Sequence, residues 1–276
     1  MTLTPSGTRQ LLEELGHLPN KRLGQNFLID GNIVRKSVEL AKVTKEDIIV
    51  EIGPGLGTLT TSLLATGATV YAIEMDKALF QHLMTEVFPM ADERLHLIEG
   101  DALDHPLANF SPSADQPFKI VANLPYAIST PWIEKILTVN PPEKMVLMLQ
   151  TETAQRYVST EGSKQFGSIS IFLQSVYDTN LGHKVASSCF YPKPDVGSSL
   201  LCLERKKDIF LFSKTAKTLI RNLFQHRRKQ LGARLKTFPE ESGTKWLNDL
   251  EENGFSAQNR AEDIPISLWQ KLNGYL

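Results

Sequence analysis

Several stretches of this 276-residue chain bring together side chains suited to binding or catalysis. Glu51-Ile52-Gly53-Pro54-Gly55-Leu56-Gly57 is a glycine turn that closes one apolar run and opens a helical pattern. Glycines there let backbone approach a ligand that a Cβ would block, and they supply positive φ where the turn needs it. Glu74, with Asp76 behind it, ends the next apolar run, where carboxylates would accept hydrogen bonds from ribose hydroxyls. Asp101 ends a third run within Glu99-Gly100-Asp101-Ala102, and its carboxylate suits an adenine amino group. The turn reads G-x-G-x-G and not G-x-G-x-x-G, so its register is wrong for a nicotinamide dinucleotide. Three successive runs ending this way are hard to explain as turn chemistry alone. They point to an adenosine-containing ligand at the carboxyl edge of a sheet.

The elements that must hold these residues follow from periodicity. Apolar runs at 47–52, 69–74, 94–99, 118–123 and 145–150 are rich in Val, Ile and Leu, as strands covered on both faces should be. Helical patterns lie between them at about 57–66, 76–88 and 129–138, the last with Ser129 as N-cap and Pro131 in its first turn. The alternation predicts repeated βα units and a mainly parallel sheet. Upstream, residues 31–43 read as a helix and residues 1–25 as a polar lead-in. Downstream come a helical stretch, the turn-rich SSCFYPKPDVGSS and the apolar run LLCLE, and beyond Arg205 the pattern is helical, with Ser213 as a cap. A boundary near residue 206 therefore divides an α/β domain, 1–206, from a smaller all-helical domain, 207–276.

Composition sets limits on what the protein can be. At 41% hydrophobic and 22% charged residues the chain has ordinary globular usage, which excludes a disordered chain. No apolar run approaches the length of a membrane span, and the opening residues lack a signal-peptide core, so a cytoplasmic address without membrane contact is expected. Cys189 and Cys202 form no C-x-x-C pair, and the six histidines show no ligand spacing, so neither a disulfide scaffold nor a metal is expected. The net charge is −1, yet residues 205–236 hold eleven Lys or Arg against Asp208 alone, a segment of +10 that leaves the remainder at −11. Such a block is either a solvated helix face or a phosphate-contacting surface.

At Asn123-Leu124-Pro125-Tyr126, where the fourth run ends, the sequence resembles the ribosomal small-subunit RNA adenine N6,N6-dimethyltransferase family (KsgA/RsmA). The pieces stand in family order as KRLGQNFL (21–28), EIGPGLGTLT (51–60), EMD (74–76), GDA (100–102), NLPY (123–126), FGSIS (166–170), FYPKPDVGS (190–198) and FQHRRKQL (224–231). The resemblance implies a Rossmann-like class I methyltransferase sheet that uses S-adenosylmethionine (SAM) to dimethylate N6 of two adjacent adenosines in the 3′-terminal hairpin loop of 16S rRNA. It implies a role in small-subunit biogenesis, with the pre-30S particle as partner and a monomeric enzyme. Adenine N6 is a poor nucleophile because its lone pair is delocalised, and two acceptors on the amino protons would favour a pyramidal amine. By resemblance these are the Asn123 side-chain oxygen and the Leu124 backbone carbonyl, with Pro125 stiffening the turn. Tyr126 would stack on the base and Phe190 on its other face. Asn26 and Leu28 would close over SAM, Gly53 and Gly55 would contact it, and Glu74 and Asp101 would take its ribose and adenine. Arg221, Arg227, Arg228 and Lys229 become the RNA-contacting residues. Rival readings are an erythromycin-resistance-type methyltransferase of large-subunit rRNA, an RNA-binding assembly factor in which catalysis is secondary, and a nicotinamide oxidoreductase, which the glycine register disfavours.

Overall fold

A computed structural model describes residues 4–20, 23–113, 116–138, 140–235 and 240–276. Lys21 and Arg22 of the first motif and Lys236 of the basic block lie outside them. The chain divides into two compact units, one comprising Met1–Ala154 and Asn180–Arg205, the other Gln155–Thr179 and Lys206–Leu276.

The first unit is built on strands β2 (Ile48–Ile52), β3 (Thr69–Glu74), β4 (Leu95–Glu99), β5 (Lys119–Asn123), β6 (Lys144–Gln150), β7 (Tyr177–Val185) and β9 (Ser198–Arg205), in the order β4-β3-β2-β5-β6-β9-β7. β2 to β6 pair in parallel, and β9 runs antiparallel to β6. The five parallel strands fall on the runs of Val, Ile and Leu, and Ile49, Val50, Val70, Ile120, Val121 and Leu147 are fully buried. Helices α2 (Gly31–Ala41), α3 (Thr58–Leu64), α4 (Lys77–His82) and α5 (Ser129–Ile136) accompany the sheet. α2 is capped by Asp30, which accepts from Asn32 N, and turns Ile33, Val34, Ser37 and Ala41 inward. A two-residue strand β1 (Phe27–Leu28) pairs antiparallel with β8 (Phe190–Tyr191) and tethers the N-terminal segment. The chain is thus an α/β protein with a Rossmann-like sheet, and strand order reverses between β2 and β5, where open sheets of this kind leave a crevice.

Sequence and structure part company in four places. The lead-in contains a helix, α1 (Pro5–Glu14), started by Thr4, whose hydroxyl accepts from Gly7 N, and by Pro5 at N1. The pattern read as one helix over 76–88 is α4 followed by a π-helical turn, Leu83–Val87, and a short 3-10 turn. There Leu83 and Val87 press on Gly57, where an added Cβ would sit 2.9 Å from Val87 Cγ2. Ser129 does not cap α5: its hydroxyl donates to Tyr126 O, and the cap position is Ile128.

The fourth departure is the extent of the helical unit: the chain divides at Arg205–Lys206 as expected, but Gln155–Thr179 belongs to the helical unit as well. The second unit contains the second half of α6 (Thr151–Val158), all of α7 (Ser168–Gln174), and α8 (Lys214–Gln225), α9 (Leu231–Leu235), α10 (Glu240–Glu252) and α11 (Ile266–Asn273). Residues 155–179 join it because their aromatic side chains complete its core. Phe166 meets Phe224, Phe172 meets Phe212, and Phe224 continues through Trp269 to Trp246 with ring centroids 4.8–6.0 Å apart. Ser213 caps α8 as its sequence suggests, accepting from Ala216 N. Among the described residues no helix is long and apolar enough to cross a membrane.

Candidate active site

A cleft opens at the carboxyl ends of β2, β3 and β5, lined by Gly53–Leu56, Glu74, Asp101 and Asn123–Ile128, with Leu23–Leu28 as its outer wall. Asn26, Leu28, Gly53, Gly55, Glu74, Asp101, Asn123, Leu124, Pro125 and Tyr126 are brought together here from positions up to 100 residues apart.

The glycine turn is held by the carboxylate behind it. Gly55 N donates to Glu74 Oε2 at 3.0 Å and Asp76 N to Glu74 Oε1 at 2.9 Å, so one buried side chain fixes both the turn after β2 and the turn after β3. Each oxygen keeps a second lone pair for a hydroxyl donor. Burial raises the Glu74 pKa above the ordinary carboxylate value, and the amide donors of Asp76 and Gly55 oppose that rise. Gly53 and Gly55 adopt positive φ, and a Cβ on them would press on Pro125 and on the Phe27 ring at 3.4 and 3.3 Å. These two glycines line the cleft, whereas Gly57 serves packing. Asp101 Oδ1 accepts from Leu103 N at 2.7 Å, which fixes that carboxylate at the far end of the cleft.

At the opposite end, Asn123 Nδ2 donates to Asn26 O at 3.1 Å. An amide has donors at one end and an acceptor at the other, so this bond commits the Asn123 nitrogen to the wall and leaves its oxygen as the end not used by it. Asn26 in turn donates from Nδ2 to Gly24 O, and Gln25 spans from Asp76 Oδ2 to Asn20 N, so the wall carrying Asn26 and Leu28 is itself pinned. Tyr126 follows in a 3-10 turn, its hydroxyl 2.6 Å from Ser198 Oγ.

Three expected residues sit differently. Phe190 is 2% exposed within the hydrophobic core beside Leu28, Val34 and Leu200, and it does not line the cleft. Its ring packs in that core, and the residue is absent from the cleft lining that holds Tyr126. Arg227 is engaged by Glu262, with Nε donating to Oε2 at 2.9 Å, and reaches Phe166 O. The Arg221 guanidinium lies over the Phe172 ring at 5.5 Å. Arg228 and Lys229 are exposed.

One group went unassigned in the sequence. Glu51, on β2, is 1% exposed, borders the cleft, and its Oε2 has no hydrogen-bond partner among the described residues. Burial, with the Glu74 charge adding to it, pushes its pKa to about 8, and only the nearby Thr60 hydroxyl pulls the other way. The signal was an acidic residue inside a strand covered on both faces. Glu51, Glu74, Asp101 and the Asn123 oxygen form a set of acceptors. Such a set suits a ligand that presents cations, hydroxyls and an amino group, as SAM does, and opposes the pyrophosphate of a dinucleotide.

The family model described as ribosomal RNA adenine dimethylase matches residues 16–275. The chain belongs to the ribosomal RNA adenine dimethylase family. Within it, the chain is similar to ribosomal RNA small subunit methyltransferase A of Opitutus terrae, 54% identical over 99% of this chain and 98% of that one. Among solved structures it resembles a dimethyladenosine transferase from Plasmodium falciparum, with TM-score 0.75 and 26% identity over 89% of this chain and 95% of that one. The 23S rRNA methyltransferase ErmE shares the fold, with TM-score 0.66 and 20% identity over 91% of this chain and 99% of that one.

Proposed function

We propose that this rRNA adenine dimethylase transfers methyl groups from SAM to N6 of two adjacent adenosines in the 3′-terminal hairpin loop of small-subunit rRNA. The observation that carries the reading is one cleft in which the adenosine-binding acceptors, Glu74 and Asp101, meet Asn123-Leu124-Pro125-Tyr126. SAM supplies an electrophilic methyl on a positively charged sulfur. Gly53 and Gly55 let the backbone lie against its methionine end, Glu74 takes the ribose hydroxyls, Asp101 the adenine amine, and Asn26 and Leu28 cover it. The Asn123 oxygen and the Leu124 carbonyl accept the two N6 protons of the target, which localises the nitrogen lone pair. Both are neutral oxygens, and they stabilise most where positive charge develops on that nitrogen. Tyr126 supports the base by stacking. With nucleophile and methyl held in line, positioning accounts for most of the acceleration.

A base inside a helix cannot reach this cleft, so the target is unstacked or flipped from its loop, and backbone contacts must hold the RNA. Exposed Arg228 and Lys229 serve that role in the helical unit, with Arg221 and Arg227 beside them in sequence. The small-subunit precursor is the partner, in the cytoplasm. On this reading the enzyme acts as a monomer, as the family resemblance implies. The identity of 54% to a small-subunit enzyme, against 20% to ErmE, favours small-subunit over large-subunit RNA.

The test is transfer of labelled methyl from SAM to unmethylated small and large ribosomal subunits, followed by mapping of the modified bases. Label on two adjacent adenosines of the small subunit is expected, and label confined to the large subunit overturns the assignment.

A further inference from the structure

Tyr126 is held at two points. Its backbone carbonyl accepts from the Ser129 hydroxyl at 3.0 Å, and its own hydroxyl lies 2.6 Å from Ser198 Oγ. Ser198 is the first residue of β9 and is 1% exposed. Because β9 runs antiparallel to β6, its first residue pairs with Gln150, the last of β6, at the rim where β5 ends and Tyr126 begins. The start of β9 is fixed in turn: Thr151 N donates to Gly197 O at 3.0 Å, and the hydroxyls of Thr151 and Ser199 are 3.1 Å apart. A tyrosine ring tethered through its backbone alone can still turn about its side-chain bonds. A second tether at the phenolic oxygen, to a strand start that is itself hydrogen-bonded to its neighbours, restricts that freedom.

We propose that Ser198 is a positioning residue for methyl transfer: its side chain holds the Tyr126 hydroxyl and so sets the plane on which the acceptor adenine stacks. The inference rests on the reading of Tyr126 as the stacking platform. It assigns to the last residue of FYPKPDVGS a task the sequence did not suggest. Stacking fixes the base plane, and the base plane decides whether N6 meets the Asn123 oxygen and the Leu124 carbonyl together. Loss of the tether therefore slows transfer without weakening SAM binding.

The test is a double-mutant cycle of Ser198→Ala and Tyr126→Phe on unmethylated small subunits, with kcat, KM for the subunit and Kd for SAM measured for each. Each single variant is expected to lose about tenfold in kcat, with Kd for SAM within about twofold of the parent. The double variant is expected to match the singles, because both substitutions delete one hydrogen bond. A Ser198→Ala effect that is undiminished in the Tyr126→Phe background overturns the proposal, as does full kcat in either single variant. Tyr126→Ala separates the two readings: full activity there overturns the stacking role itself, whereas its loss together with an additive cycle overturns only the role of Ser198. In parallel, 2-aminopurine at the target position is expected to be less quenched on Ser198→Ala than on the parent, a change that general destabilisation at a temperature where both proteins are folded does not produce.

Discussion

Replacing Glu51 with Gln tests the electrostatics of the cleft directly. Burial holds this carboxyl at about 8 against an ordinary value of 4.5. Below pH 4.5 folded and unfolded chains both carry the proton, and Glu51 exerts no pH-dependent effect. Between 4.5 and 8 only the unfolded chain ionises, so the native state holds more protons and stability falls as pH rises, by up to about 1.4 kcal/mol per pH unit. The accumulated penalty is about 3 kcal/mol at pH 7 and about 5 kcal/mol above pH 8. Glu51 is fully enclosed, with Glu74 and Thr60 facing it, so solvent screening does little to reduce this. In Glu51→Gln the penalty disappears. The amide adds its own desolvation cost, but that cost is constant with pH, so the readout is the difference in slope. Hydrogen-exchange protection of the β2, β3 and β5 amides from pH 5 to 8.5, without SAM, follows the first unit separately from the helical one. The parent curve is expected to fall towards pH 8 relative to the variant, and parallel curves would refute the argument. Seating a cation beside Glu51 lowers its pKa again, so SAM binding near pH 7 should release up to about one proton from the parent and none from Glu51→Gln. Calorimetry in two buffers of different ionisation enthalpy measures it.

Three further predictions concern other parts of the molecule. Asn123→Ala should abolish transfer while leaving SAM affinity within about tenfold, since its oxygen serves the acceptor amine; label incorporation and calorimetry check it, and full activity contradicts its role. Phe190→Ala should destabilise the first unit by about 3–5 kcal/mol through the cavity it leaves in the core, seen as a lower urea midpoint; an unchanged midpoint would mean that the ring is not packed there. Reversing Arg228 and Lys229 to Glu should weaken RNA binding and make the dependence of log K on log salt shallower by about two, whereas Arg227→Ala should chiefly lower stability by leaving Glu262 unpaired, and a filter-binding salt series with an unchanged slope removes the first two from the RNA interface.

What could be read in the sequence tracks the range of the physics involved. Strands β2 to β6 were legible because a sheet covered on both faces demands unbroken apolar runs, and the glycine turn, Glu74, Asp101 and Asn123 were legible because each directly follows or ends such a run. Helix α1 was hidden: only Thr8 and Leu12 of it are fully buried, too little apolar surface to mark it in a polar stretch. The division near 206 was legible, but the sequence did not show that residues 155–179 join the helical unit through Phe166 and Phe172, contacts formed across long separations in sequence. Ser129 looked like a cap, yet a hydroxyl is a donor as well as an acceptor, and here the carbonyl of Tyr126 takes it. Phe190 sat in the motif expected to flank the base, but its side chain is packed in the core, and the two-residue strand that carries it leaves no periodic trace.

The two charge systems also follow from one requirement. Methyl transfer to an amine brings together a cationic donor and an N–H-bearing acceptor, and both are recognised by oxygens. The cleft accordingly presents Glu51, Glu74, Asp101 and the Asn123 oxygen, with no Lys or Arg among its described lining residues. RNA needs the opposite sign. Cations placed among those carboxylates would pair with them, lower their pKa values and compete with SAM for their lone pairs. On the proposal that residues 205–236 contact RNA, holding that surplus positive charge apart from the acceptor set, nearly all of it in the other compact unit, would let one chain attract phosphate without neutralising the oxygens proposed to bind SAM.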